Sequence, residues 1–102
     1  MMKVLIADHN KSTIASLQEC NPSFEVEAGN PLAFDIDAVV SPANTMGIMN
    51  GGYDAVLRRY FGIGIEYTVQ KYLEKFNIDV GQAIAVKTGH SKVHWLIVTP
   101  TV

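Results

Sequence analysis

The polar and glycine residues between positions 41 and 54 are the part of this sequence best suited to chemistry. The apolar run Ala38–Val40 is followed by a polar turn and then by a loop that carries Gly51 and Gly52. From Tyr53 onward the residues have helical spacing. A strand that leads through a glycine-rich loop into the first turn of a helix offers backbone N–H groups to an anion. The pattern therefore predicts a site for a phosphate-bearing ligand.

Asp54 and Asn44 each have two interpretations when their residue types are considered alone. A carboxylate at a helix start, such as Asp54, is favoured by the helix dipole without any function. The same group can act as a general base or orient a water molecule beside a ligand. Asn44 is suited to stabilising a turn, and its amide is equally suited to binding a ligand hydroxyl. Both alternatives stay open at this point.

Composition excludes several function classes. The 102 residues are enough for one domain, and the hydrophobic fraction of 48% is that of a globular protein with a core. The eight Lys and Arg residues form no block and the net charge is −2, which disfavours a nucleic-acid groove. No membrane span or signal peptide is visible, and the single Cys20 forms no internal disulfide, so we expect a cytoplasmic protein.

Missing motifs exclude further classes. The first strand–helix turn, at residues 7–10, contains no glycine, which disfavours a Rossmann dinucleotide site. No GK[ST] tripeptide is present, so a P-loop is excluded. The histidines, His9, His90 and His94, are scattered without a cysteine pair, and we expect neither a metal nor another cofactor.

Periodicity predicts an α/β fold with about five strands and three helices. The strands are expected near residues 3–7, 24–28, 38–40, 82–87 and 93–99, and the helices near 11–20, 53–60 and 65–76. The first strand, helix and second strand have the spacing of a βαβ unit. The third helix has one apolar face, which consists of Ile65, Val69, Tyr72, Leu73 and Phe76.

The last predicted strand raises a question of burial. Trp95–Val98 is apolar on both faces and would need cover on both sides. Three helices are few for that purpose. Either the chain is part of a longer domain, or a partner chain, including a second copy of this one, covers the strand.

Several segments in chain order resemble the macrodomain family, whose members bind ADP-ribose and often remove it from proteins or nucleic acids. The segments are Gly29–Pro31, Asp37–Val40, Ser41–Asn44, Gly51–Ala55, Val80–Ala83 and Val98–Pro100. They correspond in order to the family's Gly-Asp-Ile, DAIV, NAAN, glycine-loop, TGEA and VGP segments. The resemblance implies a mixed sheet of about five strands with helices on its faces. It also implies a single domain over residues 1–102 that is incomplete at its C-terminus, because the family's second phosphate loop would lie beyond Val102.

The resemblance also implies roles for individual residues. Asn44 would bind the distal ribose and position a water molecule, and Asp54 would act as the catalytic carboxylate beside it. The implied ligand-binding residues are Asn30, Ser41, Asn44, Asn50, Gly51, Gly52 and Tyr53. Two positions depart from the family pattern. Ser41 replaces its first asparagine, and Asn30 replaces the aspartate that contacts adenine.

The implied function is binding of ADP-ribose or an ADP-ribosyl derivative, with hydrolysis at the distal ribose. The carboxylate at Asp54 favours a hydrolase, whereas Ser41 favours a module that reads or sequesters ADP-ribose without chemistry. A scaffold protein with a degenerate site is a third alternative.

Overall fold

Turn-forming residues separate short apolar runs along the whole chain, and the structure has short elements to match. The computed structural model describes residues 4–8, 10–20 and 25–102. In chain order the elements are β1 (Leu5–Asp8), α1 (Lys11–Cys20), β2 (Glu25–Ala28), a 3-10 helix (Pro31–Ala33), β3 (Ala38–Ser41), α2 (Gly52–Phe61), α3 (Gly64–Phe76), β4 (Ile84–Lys87) and β5 (Trp95–Val98). Predictions made for Lys3, His9 and residues 21–24 lie outside the described residues, as does the environment of the Cys20 side chain.

Residues 1–36 form the first of two compact units. In this unit β1 and β2 pair in parallel, with Ile6 opposite Val26, and α1 connects them. The Asn10 side chain caps α1 by accepting hydrogen bonds from the N–H groups of Ser12 and Thr13, at 2.9 and 3.1 Å. The predicted βαβ unit is therefore confirmed.

Residues 37–102 form the second unit, which is built on a three-stranded sheet in the order β3-β5-β4. Strand β3 runs parallel to β5, and β4 runs antiparallel to it. The register places Val39, Leu96 and Val86 side by side, and all three are buried. This face of the sheet forms part of the core.

Helix α3 contributes the apolar face that its spacing predicted. Ile65, Val69 and Leu73 are buried on successive turns. Phe76 does not join them, because its side chain lies at the end of the helix and is 51% exposed. Asn77 then ends the helix in the left-handed conformation, which asparagine adopts more readily than most residues.

The α/β class with five strands and three α-helices is confirmed within the described residues. These strands form a two-stranded and a three-stranded sheet. Strand β5 is the middle strand of its sheet, with β3 and β4 paired to its two edges. Leu96 and Val98 are fully buried, whereas Trp95 on the opposite face is 42% exposed. Whether a second copy covers that face stays a prediction.

Candidate functional site

The loop that follows β3 is closed by a single side chain. The Oδ1 atom of Asn44 accepts hydrogen bonds from the N–H groups of Met46 and Ile48, both at 3.1 Å. Its Nδ2 donates to the carbonyl oxygen of Ile48 at 2.8 Å, and its own carbonyl accepts from Gly47 at 3.2 Å. Asn44 therefore holds the path of the chain toward the glycines.

Two side chains of helix α3 also bind the backbone of this loop. The N–H of Met49 donates to Oε2 of Glu66 at 2.6 Å, and Nε2 of Gln70 donates to the carbonyl oxygen of Gly47 at 3.4 Å. Gly47 has φ +72°, and a Cβ there would lie 2.8 Å from Cγ of Gln70. The loop is thus packed directly against the helix.

Beyond Met49 the chain becomes exposed. The backbones of Gly51 and Gly52 are open, since no heavy atom lies within 4 Å of a Cβ built at either position. Gly51 is the N-cap residue of α2 and has extended backbone at φ −148°. Glycine has no side-chain oxygen with which to cap the helix, so the first turn of α2 is accessible to an external anion.

A buried polar pair lies at the base of this turn. The hydroxyl of Ser41, at the end of β3, donates a hydrogen bond to the carboxylate of Asp54 in the first turn of α2. Both side chains are buried, with 1% and 5% of their surfaces exposed. Burial raises the pKa of Asp54 above its ordinary value of 3.8, and the hydrogen bond from Ser41 opposes part of that rise.

The structure brings most of the predicted site residues together along one segment. Ser41, Asn44 and residues 50–54 follow one another between β3 and the start of α2, all within the second unit. Tyr53 is half-buried in the first turn of α2. Asn30 belongs to the first unit, where its Oδ1 accepts from the N–H of Leu32 at 3.1 Å and caps the 3-10 helix. Its predicted contact with adenine stays a prediction.

Sequence reasoning missed Glu66 and Gln70. Nε of Arg58, on α2, lies 3.6 Å from Oε1 of Glu66. A signal for the first two was present, because Glu66 and Gln70 are four residues apart beside the buried stripe of α3. A polar pair at that spacing faces the same way on a helix, but the loop that it binds cannot be read from α3 alone.

A cavity of about 550 Å³ lies beside the same loop. Its lining residues are Thr45, Met46, Gln70, Leu73, Glu74, Asn77, Ile78 and Asp79. Gly51 and Gly52 are not among them. We place the candidate site at the glycines because the open backbone and the helix start converge there.

The described residues contain neither a metal cluster nor a membrane-spanning helix. No group of three or more His, Cys, Asp or Glu side chains in that part of the chain could hold a metal ion. No helix among those residues is long and apolar enough to cross a membrane.

Comparison with known proteins identifies the class to which this fold and loop belong. The sequence pattern of the Macro domain family matches residues 40–102, which is more than half of the chain. The chain therefore belongs to the macrodomain family, as the resemblance of its motifs indicated.

Two individual proteins are similar to the chain. An uncharacterized protein of Aquifex aeolicus (strain VF5) is 36% identical over 77 residues, which are 76% of this chain and 45% of that protein. The macrodomain of Mycobacterium tuberculosis DarG superimposes with a TM-score of 0.60 at 24% identity, over 72% of this chain and 48% of that one. The DarG similarity shows the fold alone. The chain spans about half the length of each of these two proteins.

Proposed function

We propose that this chain binds ADP-ribose or an ADP-ribosyl derivative through the loop from Asn44 to Gly52 and the first turn of α2. The observation that carries the proposal is the open backbone at Gly51 and Gly52, directly before the helix start. A pyrophosphate needs close approach to N–H groups and benefits from the positive end of the helix dipole. Membership of the macrodomain family supports ADP-ribose as the ligand that supplies this group.

Asn44 and Asp54 would lie toward the distal ribose in this proposal. The second amide N–H of Asn44 would donate to a ribose hydroxyl, because its oxygen already accepts two backbone N–H groups. Asn50 is exposed next to the glycines, and its side chain would contact the solvent-facing side of the ligand. Tyr53 would line the site from the first turn of α2.

A second candidate function is hydrolysis at the distal ribose. It is supported by Asp54, a buried carboxylate with a raised pKa at the base of the loop, since perturbed carboxylates are common where acid–base chemistry takes place. A water molecule held by Asn44 and Asp54 would attack the anomeric carbon while Asp54 accepts its proton. The bond from that carbon to the modified molecule would break, and the released group would take up the proton. The alternative is a module that reads or sequesters ADP-ribose without breaking a bond, which Ser41 favours.

Binding is tested by calorimetric titration of ADP-ribose into the parent chain, Gly51→Val and Gly64→Ala. Gly51 has extended backbone and open space, so valine leaves the fold intact and places methyl groups where a phosphate would approach. Gly64 serves as the control, because it also has open space around a built Cβ but belongs to α3 and not to the loop. We expect saturable binding by the parent chain and by Gly64→Ala, and a loss of at least about tenfold in Gly51→Val, the equivalent of one displaced hydrogen bond.

Equal affinity for ADP-ribose in all three proteins would show that the ligand does not bind at Gly51. No binding by the parent chain would refute the proposal and favour the scaffold alternative.

Turnover is tested with a mono-ADP-ribosylated protein as substrate and free ADP-ribose as the measured product. Asp54→Asn retains an oxygen that accepts from Ser41, so the fold at the base of α2 is preserved. We expect this variant to bind ADP-ribose within a few-fold of the parent chain and to release none. Absence of release by the parent chain, with binding intact, would favour the non-catalytic module.

A further inference from the structure

We infer that Glu66 is a positioning residue of this site, acting on the ligand only through the loop that it holds. This inference rests on the proposed ADP-ribose function and adds a residue of α3 to it. Glu66 lies outside the segment from Ser41 to Asp54 that contains most of the implied ligand contacts.

The first step of the argument is the bond to Met49. The carboxylate oxygen Oε2 of Glu66 accepts the N–H of Met49 at 2.6 Å, and hydrogen bonds to an ionised acceptor are the stronger kind. Met49 is also anchored by its side chain, which is only 1% exposed. The next residues, 50–52, are all exposed. Met49 is therefore the last buried and hydrogen-bonded residue before residues 50–52, which would contact the ligand.

The second step is the position of Arg58. Nε of Arg58 on α2 lies 3.6 Å from Oε1 of Glu66. Within the described residues this Nε atom is buried and has no hydrogen-bond partner, so the carboxylate is the charge that compensates it. The two oxygens of Glu66 thus contact Met49, directly before the exposed residues 50–52, and Arg58, in the last turn of the helix that follows them.

The third step distinguishes the positioning of the loop by Glu66 from a general contribution of Glu66 to the packing of α3. Helix α3 is held in the core by Ile65, Val69 and Leu73, which are buried, whereas the Glu66 side chain is 22% exposed. Loss of the carboxylate therefore leaves the helix in place and removes the acceptor of the Met49 N–H, which loosens the loop at that residue. A loop that adopts its binding geometry only part of the time binds more weakly by that fraction.

The experiment compares Glu66→Ala, Glu66→Gln and Glu74→Ala with the parent chain. Glutamine retains an oxygen that can accept from Met49, and Glu74 is an exposed residue two turns further along α3 that serves as the control. Two quantities are measured: hydrogen exchange of the Met49 amide in the ligand-free protein by NMR, and affinity for ADP-ribose by calorimetry.

In Glu66→Ala we expect Met49 exchange to be at least about tenfold faster and ADP-ribose affinity to be about tenfold lower, as for loss of one charged hydrogen bond. Glu66→Gln should lie between the alanine variant and the parent chain in both measurements, because its oxygen accepts from Met49 but carries no charge opposite Arg58. Glu74→Ala should match the parent chain. Glu66→Asp is added in case the alanine variant unfolds. Its shorter side chain keeps the charge and moves it away from Met49, so we expect faster exchange there as well.

Several outcomes would overturn the inference. It fails if Met49 exchange is unchanged in Glu66→Ala, if exchange rises without loss of affinity, or if glutamine restores neither quantity. None of these outcomes affects the proposed function as long as the parent chain binds ADP-ribose. Absence of binding by the parent chain would instead refute the proposed function, and this inference with it.

Discussion

The hydroxyl of Ser41 donates a hydrogen bond to the carboxylate of Asp54, and this bond joins the last residue of β3 to the first turn of α2. The two residues are thirteen positions apart, and the whole candidate loop lies between them. A single buried bond therefore closes the base of the site. Serine at position 41, which departs from the family's asparagine, has a structural use in this chain.

Replacing Ser41 by alanine should destabilise the protein. The substitution leaves a buried carboxylate without its donor, and an unsatisfied buried polar group costs about 1–3 kcal/mol. Urea unfolding at neutral pH measures the loss, with Ser91→Ala as the control because Ser91 is exposed in a turn. Equal stability of Ser41→Ala and Ser91→Ala would show that the Ser41–Asp54 bond contributes nothing.

The raised pKa of Asp54 predicts a pH dependence of a definite sign. Burial disfavours the ionised carboxylate, so the folded state binds its proton more tightly than the unfolded state does. The contribution of Asp54 to the free energy of unfolding should therefore fall as pH rises from the ordinary value of 3.8 through the raised pKa. Asp54→Asn lacks this titration and keeps an acceptor for Ser41, so it should become more stable than the parent chain across that interval.

Urea unfolding between about pH 3.5 and about pH 7 tests this difference. The stability gap between Asp54→Asn and the parent chain should widen with pH and then become constant. Glu74→Gln is the control, since Glu74 is exposed on α3. A gap that narrows as pH rises would contradict the raised pKa.

Gly47 and Gly89 form a matched pair for testing how closely the loop packs on α3. Both have positive φ, +72° and +75°, but only Gly47 has neighbours, with Cγ of Gln70 2.8 Å from a built Cβ. Gly89→Ala should therefore cost only the left-handed strain of about 1–2 kcal/mol. Gly47→Ala should cost about 1–3 kcal/mol more, because the methyl group displaces α3 or the loop. Unfolding free energies that agree between the two variants would show that the loop does not press on the helix.

Much of the fold could be predicted because periodicity and turn residues act locally. Helix α1 has the predicted bounds, and α3 begins within one residue of its predicted start, since Asn10 caps the first and a buried stripe marks the second. The position of β5 was not predictable in this way. Its four apolar residues predict burial but do not tell which strands lie beside it, and only pairing with β3 and β4 makes it the middle strand.

The candidate site likewise has a part that the sequence predicts and a part that it does not. Its glycine loop and helix start could be predicted because they are contiguous in sequence, from Ser41 to Asp54. The hydrogen bonds that hold it could not, since Met49 binds Glu66 seventeen residues later and Gly47 binds Gln70 twenty-three residues later. Such pairings depend on how α3 returns past the loop, which the residue types do not encode locally.

Asn44 and Asn50 differ in how they should affect the site, although they belong to the same loop. Asn44 makes three side-chain hydrogen bonds to the loop backbone, whereas Asn50 is exposed. In Asn44→Ala the amides of Met46 and Ile48 lose their acceptor, so their hydrogen exchange should accelerate at least about tenfold and ADP-ribose affinity should fall with it. In Asn50→Ala we expect unchanged exchange and a loss of affinity below about tenfold, as for one exposed contact. Unchanged exchange in Asn44→Ala together with lost affinity would show that Asn44 acts only by touching the ligand.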